Sequence, residues 1–152
     1  MSFDDLLRAR VIERVEVTPE EIAGLFAVAR RDIRTAQHLV SADLDWAFAI
    51  AYNSILQLSI AYMNYLGFRP RGEGKHFNTF RFLEKALPEE QTMVRRLQKL
   101  RKKRNVTIYE HAGSVSEKEA RDVIEFAVRY YKHIESKLPD EITALGEKEE
   151  DR

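Results

Sequence analysis

The chain of 152 residues contains no cysteine. Disulfides and thiolate metal sites are therefore excluded, and so is a cysteine nucleophile. It has only four prolines and six glycines, few enough to allow long uninterrupted helices. Net charge is absent as well, since 25 basic residues balance 25 acidic ones. Bulk charge thus argues neither for nor against a nucleic-acid partner. No run of about 18 apolar residues exists, so the sequence offers no membrane span. The start, Met1-Ser2-Phe3-Asp4-Asp5, carries acids where a secretory signal carries basic residues before an apolar stretch. A cytoplasmic protein is the expectation. No internal repeat and no sustained alternating strand pattern is found.

What is present reads as helix. Hydrophobic residues make up 44% of the chain and charged residues 33%, which suits a single helical domain. Residues 1–17 form an N-terminal arm whose Val11, Val15 and Val17 alternate with charges, as a short helix, an extended segment or a mixture of both. Thr18-Pro19-Glu20-Glu21 opens a helix, with Thr18 as N-cap, Pro19 in the first turn and Glu21 completing a capping box. Its apolar stripe (Ile22, Leu25, Phe26, Ala29, Ile33, Ala36, Leu39) predicts a helix over 19–40. A second helix over 44–66 is apolar nearly all round, from Trp46 to Leu66. It is either the centre of the bundle or a core helix with a subunit interface added. That surplus motivates an expected homodimer.

Residues 68–75 read as a loop broken by Pro70, Gly72 and Gly74. The glycine spacing there does not fit a Walker phosphate loop. A third helix is expected over 76–87, and a fourth opening at Pro88 and running past Leu100. Ser116 with Glu119 forms a capping box for a fifth, ending before Pro139. Residues 139–152 form a charged, frayed C-terminal tail. The expected architecture is all-α: an up-and-down bundle of about five helices over 18–138.

The chemistry is concentrated in Arg101-Lys102-Lys103-Arg104-Asn105-Val106-Thr107-Ile108-Tyr109-Glu110-His111. From Arg95 to Arg104 seven of ten residues are Lys or Arg and none is acidic. Arg95, Arg96, Lys99, Arg101, Lys102 and Lys103 are thus candidates for contact with an RNA backbone, or else a solvated helix face. Arginine presents a rigid fork of donors that fits phosphate. Histidine can take and give a proton near neutral pH. On a continuous helix Arg104 and His111 lie about 20° apart on one face and about 10.5 Å apart along the axis. Val106, Thr107 and Ile108 weaken helix propensity, however, and admit a bend or an end between them. Asn105 is placed to orient a phosphate or ribose, or to serve as a local turn residue. Tyr109 is a core aromatic or a wall of the groove. His38, His76 and His133 are far apart and show no helical metal-ligand spacing, so no metal and no cofactor is expected. His76, at a helix start, reads as a capping or interface residue.

With Tyr52-Asn53 on the long apolar helix, the glycine loop before His76, and Arg104-Asn105 followed by His111, residues 18–138 resemble the HEPN superfamily. The family motif is Arg, four to six residues, then His, commonly with a polar residue after the Arg. The resemblance implies a dimerising bundle whose paired motifs face a cleft. It further implies a metal-independent ribonuclease, often a toxin beside a small nucleotidyltransferase antitoxin. In that reading Arg104 clamps the scissile phosphate, Asn105 orients it and His111 moves the proton. Tyr109-Glu110 is similar to the pattern of non-catalytic members. These imply the alternative, a helical module that binds a protein partner or a nucleotide.

Overall fold

A computed structural model describes residues 2–150, with side chains through Leu145. Met1, Asp151 and Arg152 lie outside the described residues. The architecture is all-α with one small two-stranded sheet. The elements in chain order are α1 (Phe3–Arg8), β1 (Ile12–Arg14), α2 (Pro19–Leu39), α3 (Leu44–Tyr65), β2 (Phe68–Pro70), α4 (Lys75–Ala86), α5 (Gln91–Tyr109), α6 (Glu117–Glu135) and α7 (Asp140–Glu150).

The helix starts follow from local chemistry. Thr18 accepts the Glu21 N–H at 3.1 Å ahead of α2, and Asp43 accepts the Trp46 N–H at 3.0 Å ahead of α3. Ser116 and Glu119 close a reciprocal capping box on α6. The expected start at Pro88 shifts to Gln91, because residues 88–90 form a turn and Glu90 takes the N-cap position.

Helix α3 is the axis of the bundle. Twelve of its 22 residues are buried, and α2, α4, α5 and α6 pack around it. Much of its all-round apolar character is therefore used within one chain, while Trp46, Tyr65 and Leu66 stay exposed. Cross-links set the directions. Asn53 donates to Asp32 of α2 at 2.7 Å, and Ser59 and Tyr130 of α6 share a hydrogen bond of 2.7 Å. Arg104 of α5 lies over Tyr52. The four long helices α2, α3, α5 and α6 accordingly run up, down, up and down.

The N-terminal arm is the mixture of short helix and extended segment that its sequence admits, and one expectation about the C-terminal end is corrected. Ser2 caps α1 with a reciprocal box to Asp5, and Phe3 stacks on Phe82 and Phe68 with centroids 4.9 and 5.6 Å away. Strand β1 then pairs antiparallel with β2, with Ile12 opposite Pro70 and Arg14 opposite Phe68. The expected loop at 68–75 is thus partly strand, because Phe68 and Ile12 bury their side chains. The C-terminal segment is not frayed over 140–150. It forms α7, which packs on α2 and buries Ile142. With these additions the count rises from five helices to seven among the described residues.

Candidate functional site

The inner stripe of α5 changes chemistry halfway along. Val94 and Leu97 face the core and are buried. The same stripe then continues as Arg101 and Arg104, both half-buried. A helix that keeps its register but swaps apolar side chains for guanidinium groups lays positive charge over the edge of the core.

Arg104 sits between two phenol rings, its Cζ 5.6 Å from the Tyr109 centroid and 5.9 Å from that of Tyr52. Its only hydrogen bond among the described residues is a long one of 3.5 Å to Asn105 Oδ1. Arg101 donates to Gln98 at 2.8 Å and lies 5.1 Å over Phe77, whose ring also carries Arg81 at 5.6 Å. Among the described residues neither Arg101 nor Arg104 has a carboxylate partner. Lys103 differs, since Glu119 at 3.3 Å and the Ser114 carbonyl at 3.0 Å hold it. Most of the donor capacity of the Arg101–Arg104 pair is therefore unused.

Beneath the pair, Tyr52 Oη and His76 Nδ1 share a hydrogen bond of 3.0 Å. Burial pushes the Tyr52 phenol pKa up, against the opposing pull of Arg104 and Arg101. Burial also lowers the His76 pKa, and the Arg104 and Arg101 charges lower it further. His76 is thus a neutral imidazole at neutral pH. It lies in the first turn of α4, whose N-cap Gly74 adopts φ +69° and supplies no side-chain cap. The open N–H groups of that turn add partial positive charge to the same end.

The residues singled out from sequence separate here. Arg104, Asn105 and Arg101 come together with Tyr52 and His76. His111 does not join them on one helix face, because α5 ends at Tyr109 and Glu110 is its C-cap. The His111 N–H bonds to the Val106 carbonyl at 2.8 Å, closing the end of the helix, and its side chain is exposed. The continuous-helix geometry for Arg104 and His111 is therefore wrong. The β-branched run at 106–108 and the left-handed Gly113 (φ +79°) account for the stop.

The basic run likewise divides among faces. Arg95, Lys99 and Lys102 are exposed on the outside of α5. Arg96 and Lys103 face α6, Arg96 lying 4.4 Å over the Phe126 ring. His76 does not cap its helix; its ring shares a hydrogen bond with Tyr52 instead. The signal that points to it is Tyr52 on the most apolar helix, a buried phenol that needs a polar partner.

Grooves lie elsewhere among the described residues. One of about 530 Å³ runs between α5 and α6 past Met93, Phe126 and His133, and one of about 380 Å³ between α2 and α6 past Val40 and Ile124. Neither includes Arg104 or His76. Among the described residues no three His, Asp or Glu side chains gather as a metal site, and no helix is long and apolar enough to cross a membrane. No family model matches the chain, and no curated protein or solved structure matches it.

Proposed function

We propose that this chain binds RNA through Arg104 and Arg101 and cleaves it as a metal-independent endoribonuclease of the HEPN type. One observation carries the reading: two half-buried guanidinium groups without carboxylate partners converge on a neutral imidazole. A 2′-OH attack needs a phosphate clamp and a proton acceptor, and side chains can supply both. Arg104 offers the phosphate its forked donors, Asn105 steadies that guanidinium, and Arg101 adds a second positive group. Tyr109 is 72% exposed, so it offers a ring face to an unstacked base. Arg95, Lys99 and Lys102 attract the backbone over a longer range from the outer face of α5.

The HEPN resemblance supplies the rest of the proposal. A homodimer sets two such sites across one cleft, and exposed Trp46 is apolar surface that a second copy can cover. The setting is the cytoplasm, with a nucleotidyltransferase-type antitoxin as partner if the protein is a toxin. A second reading, a non-catalytic module that binds a nucleotide or a protein, is favoured by the position of His111 beyond the end of α5.

The test is incubation of purified wild type and Arg104→Ala with RNA in EDTA. Cleavage by the wild type and its loss in the variant support the enzyme. Retained RNA or nucleotide binding without cleavage supports the module.

A further inference from the structure

We propose that His76, held by Tyr52, is the group that takes the 2′-OH proton, and that His111 is not. This assignment rests on the ribonuclease reading and deepens it. The argument is geometric. His76 and Arg104 both contact the Tyr52 side chain, one through its hydroxyl at 3.0 Å and the other over its ring at 5.9 Å. A phosphodiester held by Arg104 therefore lies against the same Tyr52 side chain that holds the imidazole. His111 lies past the end of the helix in an exposed turn, and no contact among the described residues ties it to Arg104.

Action as a base requires the tautomer in which Nδ1–H donates to Tyr52 Oη, which leaves the lone pair on Nε2; Nε2 has no partner among the described residues. Tyr52 is 1% exposed and fixed on the central helix, so it is a rigid positioning residue. Neutrality of the imidazole follows from its surroundings. Arg101 and Arg104 face it from α5, Tyr52 faces it from α3, and its own helix contributes an uncapped N-terminus.

The step balances without a further reagent. His76 Nε2 takes the ribose 2′-OH proton, the 2′ oxygen bonds to phosphorus, and the bond from phosphorus to the 5′ oxygen breaks. Water protonates the departing 5′ oxygen, and the imidazolium returns its proton to the hydroxide so formed. The products are a 2′,3′-cyclic phosphate and a 5′-hydroxyl.

The experiment measures single-turnover cleavage of an RNA oligonucleotide by wild type, His76→Gln, His76→Ala, Tyr52→Phe and His111→Ala, with RNA affinity and thermal melting followed in parallel. His76→Gln keeps a hydrogen-bonding side chain for Tyr52 but has no basic nitrogen. Its rate should fall about 10²–10⁴-fold while affinity stays within about twofold. Free imidazole should restore part of the rate of His76→Ala, which a purely structural role does not allow. Tyr52→Phe should slow cleavage less than His76→Gln. The acid limb of the wild-type rate profile should lie below pH 6.5, the ordinary histidine value, and move upward in Arg101→Ala as one lowering charge is removed. His111→Ala should cleave within a few-fold of wild type. Cleavage that survives His76→Gln but is lost in His111→Ala overturns the assignment and leaves the ribonuclease reading standing. A wild type that never cleaves RNA removes both.

Discussion

The backbone N–H of Gly113 donates to the Asp45 carboxylate at 2.6 Å, joining positions 68 residues apart. The bond ties the α5–α6 turn to the first turn of α3. The other oxygen of Asp45 is buried and unpartnered, so the carboxylate is committed to this contact. The turn carries His111, whose location is thus set by Asp45 together with its own N–H bond to Val106 of α5. Asp45→Ala should accelerate amide exchange at residues 111–115 while leaving the centres of α3 and α6 protected. Unchanged exchange in that turn would mean that the contact does not hold it.

A second cross-link lies deep in the core. Ser59 Oγ donates to the Ile55 carbonyl at 2.8 Å, so the Tyr130 hydroxyl is the donor in its 2.7 Å bond to Ser59. Tyr130→Phe removes that one bond and leaves Ser59 with a partner. The cost should be about 1 kcal/mol, the net value of a typical buried hydrogen bond. For a chain of this length that corresponds to a fall of about 2–4 °C in Tm. A thermal melt with an unshifted midpoint would show that the hydroxyl contributes nothing.

At the other end of α6, Glu90 Oε1 receives His133 at 2.8 Å and Lys137 at 3.2 Å. Burial acts to raise the Glu90 pKa, but the hydrogen bonds and charges of His133 and Lys137 outweigh it, and the net shift is downward. A carboxylate whose folded pKa is depressed contributes stability above its unfolded value and loses it as the pH falls through the folded one. The stability difference between wild type and Glu90→Gln should therefore be present at pH 5 and shrink below about pH 4.5. Denaturant melts across that range measure it, and a difference that grows on acidification would reverse the sign.

Much of the helical frame was readable from the residues. Thr18, Asp43 and Ser116 mark helix starts by capping chemistry, and the apolar stripes of α2 and α6 are regular. The ends were harder. Phe3 and Ile12 find partners 56 or more residues away, at Phe68, Pro70 and Phe82, which local periodicity does not register. The short apolar stretch from Ile142 to Leu145, flanked by charges, gave little sign of a helix docked on α2. The site was half readable. Arg104 was evident from its basic context, whereas His76 owes its place to a tertiary bond with Tyr52, 24 residues earlier. The spacing of seven from Arg104 to His111 implies one helix face only if the helix continues, and α5 ends at Tyr109.

The central claim is that Arg101 and Arg104, rather than the basic run as a whole, form the phosphate site. Titration of a single-stranded RNA over a range of salt concentrations tests it most directly. Arg104→Ala and Arg101→Ala should each weaken binding and reduce the log–log salt slope by about 0.7, the value for one lost phosphate contact on a single strand. Lys103→Ala, already engaged with Glu119 and Ser114, should leave the slope unchanged. An unaltered slope in Arg101→Ala and Arg104→Ala, or a wild type that binds no RNA at low salt, would contradict the account.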